Sequence, residues 1–420
     1  MSETTTRGND LAIDGARLWA SLMELAEIGA TPKGGVCRLA LSDVDKAGRD
    51  LFVRWAEDAG CTVTVDRIGN IFARRPGRDD TLPPVMSGSH LDSQPTGGKF
   101  DGAYGVLAAL ETVRALNDAG IETLRPIEIV SWTNEEGSRF PPAMMGSGVY
   151  AGAFGLDETL AETDEDGAVT VGGELDRIGY AGAAPVGGRP VHAYFEAHIE
   201  QGPILEAEAK IIGVVTAIQG IRWFDCRITG MEAHAGPTPM DVRKDALLGA
   251  SRLVDRINRI ALDHGPEGRA TVGTFRIHPG SRNVIPGSVE LSVDMRHPDA
   301  DALALMAKAL QDAVDAVCSE IGLEGALDEI WYSPPTPFDP TCVDAVRRAA
   351  AELGGPYRDI TSGAGHDAKY MADIGPAAMV FIPCKDGISH NEIESAEADH
   401  IAAGCNVLLR AVVEKAQEPG

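Results

Sequence analysis

The sequence predicts an α/β protein built on a mostly parallel sheet and interrupted by a smaller unit of ferredoxin-like α+β order. Three observations carry that expectation. Strand-like and helix-like stretches alternate through the first part of the chain, the pattern that lays parallel strands side by side with helices across them. From about residue 224 the order changes to strand, helix, strand, strand, helix, strand, which is that of a ferredoxin-like unit. The 420 residues also exceed the usual reach of one hydrophobic core, so the changed order reads as a separate domain over 223–333, inserted into a first domain made of 1–222 and 334–420.

Taken in order, Ser42 opens a helix with Asp45 three residues on. The apolar pattern runs through Leu51, Phe52, Trp55 and Ala56 and stops at Gly60. A β-type stretch over 62–73 follows, then an apolar run ending at Met86, a glycine-rich loop, a helix over 106–116 and a strand over 127–132. The segment 157–190 is rich in Gly, Asp and Glu with weak periodicity, so a surface excursion is expected before a strand over 193–199. The inserted unit should hold strands at 226–229, 270–278, 288–296 and 327–332 and helices at 246–262 and 301–321. Beyond Pro334 and Pro335 the α/β pattern resumes with a helix over 342–353, a strand over 377–383 and a last helix over 396–416.

Hydrophobic residues make up 44% and charged residues 24% of the chain, enough apolar surface to fold rather than stay disordered. The 63 acidic against 37 basic side chains leave a formal charge of −26, which repels a phosphate backbone and argues against a nucleic-acid partner. Cys37, Cys61, Cys226, Cys318, Cys342, Cys384 and Cys405 are dispersed without a C-x-x-C pair, which suits reduced thiols in the cytoplasm. The polar start, residues 1–10, precedes no long apolar segment, so neither a signal peptide nor a membrane anchor is expected.

Four clusters carry chemistry. The first is Gly88-Ser89-His90-Leu91-Asp92-Ser93, followed by Gly97-Gly98-Lys99-Phe100-Asp101-Gly102. Imidazole and carboxylate are good ligands for zinc and similar metals, Asp92 is spaced to orient His90, and the two oxygens of Asp101 could bridge two ions. The second is Asn134-Glu135-Glu136-Gly137 after the 127–132 strand. Neighbouring carboxylates on extended backbone point to different sides, so one can hold a metal while the other faces the attacking water. His198 and His390 stand at or just past strand-like segments and complete a set of three histidines and two carboxylates, which suits two ions with open positions. Singly, each has a plainer use, as a solvated acidic turn for Glu135-Glu136 or a structural hydrogen bond for a strand-end histidine. In the inserted unit His234 sits among small and turn-forming residues, and Asn283 and Arg296 offer an amide and a guanidinium that can grip a carboxylate; a turn and a surface ion pair are their alternatives.

Together these strings resemble the M20 metallopeptidase superfamily, and within it the amidase branch of N-carbamoyl-L-amino acid hydrolases, β-ureidopropionases and allantoate amidohydrolases. The resemblance runs in order from G-S-H-L-D-S through G-G-K-F-D-G, N-E-E-G-S-R-F, H-I-E-Q-G-P, H-A-G-P-T-P-M, N-V-I-P-G and D-M-R-H to S-G-A-G-H-D-A and G-I-S-H. It implies two divalent ions per subunit, zinc first, with manganese, cobalt or nickel also suited to the donors. His90, Asp101 and His198 would hold one and Asp101, Glu136 and His390 the other. Glu135 would be the general base, with Asp92 supporting His90. Gln201, Asn283 and Arg296, with backbone near Gly365, would grip a small carboxylate substrate, and His366 and Asp367 would be structural. His234 would stabilise the oxyanion, arriving from the inserted domain of a second subunit, which implies a homodimer closed by that lid. The implied reaction is hydrolysis of the C–N bond of a small carboxylate-bearing ureido or amide compound, first of all an N-carbamoyl-L-amino acid, to the amino acid, ammonia and carbon dioxide. Alternatives are an allantoate- or ureidoglycolate-type amidohydrolase, an aminoacylase or dipeptidase, or a metal-free binding protein on the same fold.

Overall fold

The computed structural model describes residues 11–419; the polar start lies outside them. The chain forms two compact units, one of the described residues up to Thr216 and from Pro337 onward, the other Ala217–Thr336. The inserted unit therefore opens earlier and closes later than 223–333. Its first strand is Gly220–Thr229, all of which pairs with Ser288–His297, whereas only the last residues stand out as β-forming in sequence.

In the larger unit Ile127–Trp132, Val85–His90, Ala193–Ile199 and Ala377–Ile382 lie side by side and parallel. Every residue of these four strands is buried, which suits the apolar run of Ala377–Ile382 and the largely apolar Ile127–Trp132 and Ala193–Ile199, while Val85–His90 turns to small and polar residues after Met86. Antiparallel neighbours flank this parallel centre, with Ile71–Arg75 and then Thr62–Val65 on one side and Ile212–Ile218 on the other. The stretch read as one β-run over 62–73 is thus a hairpin. The Asp66 carboxylate accepts the N–H groups of Ile68 (3.1 Å) and Asn70 (2.9 Å), and Gly69 takes φ +85°, an Asx-type turn hidden among β-formers.

The first helix foreseen, Asp43–Asp58, is capped by the Ser42 hydroxyl accepting the Asp45 N–H at 3.1 Å. The expected excursion over 157–190 is instead partly helical. Leu156–Ala161 and Val171–Ile178 are helices, and Val171, Leu175 and Ile178 are buried. Their four- and three-residue spacing is helical but too brief to stand out among glycines and acids.

The four parallel strands share one carboxyl-terminal edge, where ligands collect in such sheets. His90 ends its strand, His198 is next to last in its own, and Glu135 and Glu136 follow Trp132. The helix Ala103–Asp118 packs on the His90 and His198 strands. It comes close because Gly105 lacks a side chain: a Cβ there would lie 2.5 Å from the Ala197 carbonyl oxygen and 2.6 Å from Ser89 Cβ. That approach brings the turn carrying Asp101 onto both histidines.

The smaller unit is a four-stranded antiparallel sheet in the order Glu324–Ser333, Gly220–Thr229, Ser288–His297, Arg269–His278, the ferredoxin-like arrangement expected. Along Ser288–His297 burial alternates residue by residue. The inward set, Val289, Leu291, Val293 and Met295, packs with Leu253, Ile257, Met306 and Leu310 of the helices Ala246–Asp263 and Ala300–Ile321. Burying each such side chain contributes roughly 1.5–3 kcal/mol. Among the described residues no helix is long and apolar enough to cross a membrane.

Candidate active site

Around Asp101 the structure brings together two sets of three ligand atoms that share this one carboxylate: His90, Asp101 and His198, all buried, and Asp101, Glu136 and His390, of which His390 is exposed. The two oxygens divide between the sets. Asp101 Oδ1 lies 3.1 Å from His198 Nε2 and 3.6 Å from His90 Nε2, while Oδ2 lies 3.4 Å from His390 Nε2, itself 3.3 Å from Glu136 Oε2. His390 is not at a strand end as expected, but in the loop well beyond Ala377–Ile382, at φ +52°.

The histidine hydrogen bonds test whether a cation fits. His90 Nδ1 faces the Asp92 carbonyl oxygen and His198 Nδ1 the Ile199 carbonyl oxygen, each at 2.9 Å. A carbonyl only accepts, so each Nδ1 carries the ring proton, and in a neutral ring the Nε2 lone pair then points at Asp101. The Gly102 N–H aimed at His198 Nε2 (3.3 Å) agrees with a lone pair there. Lone pair against carboxylate oxygen is repulsive unless a cation lies between them, so these donors suit a divalent metal.

Electrostatics points the same way. Burial, with the charge of Asp101, pushes the Glu136 carboxyl up to about 7 and does the same to Glu394. Burial also lifts Glu135 well above the carboxylate range against the pull of His90, helped by Asp367, Glu136 and Asp92. His390, hydrogen-bonded to Asp101, is pushed up to about 9. For His90 burial works downward, but Glu135, Asp101 and Asp92 outweigh it. The common cause is surplus buried negative charge, which attracts a cation of any kind.

Asp92 acts differently from the expectation. Its main-chain oxygen, not its carboxylate, orients His90, and the nearer carboxylate oxygen is 3.9 Å from His90 Nδ1. The carboxylate instead accepts the N–H groups of Glu135 and Glu136, one on each oxygen at 3.2 Å. Those two residues lie in bends rather than in the extended backbone assumed. They still diverge: Glu135 Oε2 approaches His90 Nε2 at 3.5 Å while Glu136 approaches His390.

Gln201, expected on the substrate, instead donates from Nε2 to Asp101 Oδ2 at 2.9 Å, and its buried Oε1 has no partner among the described residues. Gly365 packs near Met144, whose Cε would be 3.2 Å from an added Cβ. His366 is buried, hydrogen-bonded to Ser362 Oγ (2.9 Å), with its ring edge-on to His198, and Asp367 accepts from Ser147 Oγ at 2.5 Å. His234, Asn283 and Arg296 belong to the other unit. There the Ala235 N–H donates to the Asn283 carbonyl (2.9 Å) beside the paired His234 and Val284. The exposed His234 accepts the Gly236 N–H at Nδ1 (3.1 Å), which leaves Nε2 as its donor, and Arg296 pairs with Asp294 at 2.9 Å. Sequence reasoning missed Gln94, whose N–H and side chain hold Glu136 (3.1 and 2.8 Å), and Glu394. Glu394 was detectable only as a second acid in the His390-Asn391-Glu392-Ile393-Glu394 run.

Ligand sets joined by a carboxylate, beside a buried glutamate, are the equipment of metal-dependent hydrolysis. The chain belongs to Peptidase family M20/M25/M40, whose family model matches residues 86–414. Among its relatives, an N-carbamoyl-L-amino-acid amidohydrolase of Rhizobium meliloti is 47% identical over 98% of each chain. An allantoate amidohydrolase of Bacillus subtilis is 34% identical over 91% of this chain and 93% of its own. A crystal structure of an amidase of the hydantoinase/carbamoylase family from Burkholderia multivorans is 64% identical, with a TM-score of 0.95 over 98% of this chain and 100% of that one.

Proposed function

We propose that this chain hydrolyses an N-carbamoyl-L-amino acid to the amino acid, ammonia and carbon dioxide. The observation that carries the reading is Asp101, whose two oxygens face two different ligand sets beside the buried Glu135. The full-length similarity to a relative of that name supports the substrate class. His90, Asp101 and His198 would hold one divalent ion, zinc first, and Asp101, Glu136 and His390 a second. When bound, such ions polarise a carbonyl and acidify the attacking water.

The chain's own groups do the rest. Glu135 takes the proton of the attacking water and delivers it to the departing nitrogen; the raised proton affinity that burial gives it suits both steps. Asp92 fixes Glu135 and Glu136 through their N–H groups. Arg296 and Asn283, with the backbone near Gly365, would hold the substrate carboxylate, and Gln201, its Nε2 engaged by Asp101, would offer its Oε1, unpartnered among the described residues, to a substrate N–H. His234 would donate from Nε2 to the oxyanion, supplied by a second copy of the chain in a homodimer. Phe275 and Ile277, exposed on the edge strand Arg269–His278, support pairing of that edge with a second copy. A cytoplasmic setting is supported by the seven free cysteines.

The test is ammonia release by zinc-reconstituted protein, with and without chelator, from N-carbamoyl-L-amino acids, N-carbamoyl-β-alanine and allantoate, with N-acetyl amino acids assayed for amino-acid release. Chelator-sensitive turnover of an N-carbamoyl-L-amino acid is the expected result. Preference for allantoate would move the reading to the Bacillus subtilis relative's substrate, and amino acid freed from N-acetyl compounds alone would make the enzyme an aminoacylase.

A further inference from the structure

Glu394 lies in the loop that carries His390 toward the Ala398–Ala416 helix, and it is buried to 4% exposure. Its Oε1 accepts two consecutive N–H groups, those of Phe100 (3.0 Å) and Asp101 (3.2 Å). Its Oε2 lies 2.9 Å from the Ser389 hydroxyl, which is also 3.0 Å from Asp101 Oδ2. Gly98 makes room for this carboxylate, since a Cβ there would fall 2.0 Å from Glu394 Cδ and Oε1. Glu394 therefore grips the main chain of the shared aspartate, and the Ser389 hydroxyl, whose single proton can serve either carboxylate, lies between Oε2 and the Asp101 oxygen facing His390.

The two ligand sets depend on that grip unequally. His90 and His198 are carried by buried strands, with each Nδ1 anchored to a carbonyl that Glu394 does not touch. His390 has a half-exposed side chain on a loop, and its chain neighbour Ser389 is held by Glu394.

We infer that Glu394 is a positioning residue, which aligns Asp101 Oδ2 and the Ser389-His390 loop and thereby governs cation occupancy of the Asp101/Glu136/His390 position rather than of the His90/Asp101/His198 position. The inference rests on the two-ion reading above and adds residues outside the ligand sets to it. Partners behind metal ligands commonly change affinity 10–100-fold.

The experiment is equilibrium dialysis of the full chain against buffered zinc, with bound zinc per chain measured by elemental analysis and folding checked by circular dichroism. The unaltered chain should take up two ions. Glu394→Ala should keep one at unchanged affinity and bind the second about 10–100-fold more weakly. Glu394→Gln should restore it, because the amide oxygen can accept both N–H groups while the amide nitrogen donates to Ser389. Ser389→Ala, which leaves the N–H acceptor in place, should weaken the same position; if Glu394→Ala does not fold, this variant decides. Two equally affected positions, or two unaffected ones, in the deciding folded variant would overturn the assignment. Fewer than two ions on the unaltered chain would overturn it together with the two-ion reading. Zinc uptake is read without substrate, so a wrong substrate assignment leaves this result standing.

Discussion

Gly102→Ala puts the smallest possible side chain where the structure has no space for one. Gly102 has φ +64°, and a Cβ would lie 2.4 Å from His90 Cε1 and Nε2 and 2.5 Å from Cδ2. An ordinary contact begins near 3.4 Å, so the ring must retreat by about 1 Å. A histidine-to-metal distance tolerates only about ±0.2 Å, and His90 cannot swing away freely because Asp92 O holds its Nδ1 and the ring is buried. The added methyl also costs roughly 1–3 kcal/mol, because φ +64° with ψ −50° lies outside even the left-handed helical well. We expect zinc affinity at the His90/Asp101/His198 position to fall at least ~100-fold, about 2.8 kcal/mol at 1.4 kcal/mol per tenfold, with the melting temperature of the ion-free protein lowered only modestly. Competition with a fluorescent chelator measures the first quantity and differential scanning fluorimetry the second. Unaltered zinc affinity in Gly102→Ala would refute the claim that this turn must be bare for His90 to serve as a ligand.

Glu135→Gln should keep zinc and lose about 10²–10⁴ in kcat; turnover near that of the unaltered enzyme would remove Glu135 from proton transfer. Asp92→Ala strands two N–H groups at Glu135 and Glu136 and should cost about 2–4 kcal/mol in urea unfolding, along with much of kcat; unchanged stability would show that water replaces the carboxylate. Acid should release metal: with Glu136 at about 7 and His390 at about 9, cation binding displaces protons wherever pH lies below these values. Zinc affinity at their position should therefore rise with pH through 7 toward 9, by up to about tenfold per pH unit for each proton displaced. A flat profile between pH 6 and 8 would contradict that linkage.

The parallel centre was legible because fully buried strands are rich in apolar residues: Ala377–Ile382 is apolar throughout, and Ile127–Trp132 and Ala193–Ile199 are apolar except at Glu128, Ser131, Glu196 and His198. The helices of the inserted unit were equally visible, each with one apolar stripe facing its sheet. The turn at Asp66–Asn70 and the short helix Val171–Ile178 were not. A side chain that bonds its own backbone, or three apolar residues in eight, leaves a trace no stronger than the surrounding noise.

The sequence by itself determined the kinds of side chain available for chemistry and their order, because histidines and acids beside glycine-rich turns at strand ends restrict what those segments can do. Only the tertiary structure decided which oxygen meets which ring, that Asp92 holds His90 by its main-chain oxygen while its carboxylate serves backbone N–H groups, that Gln201 sits on Asp101, and that Glu394 rather than Glu392 is the buried acid. Glu392 meets Lys33 at 3.2 Å, while Glu394, two residues on, reaches a turn almost three hundred residues away in the chain. Such choices are set by the packing of segments distant in sequence, where a shift of an ångström exchanges one hydrogen-bond partner for another, and no local pattern of residues encodes that distance.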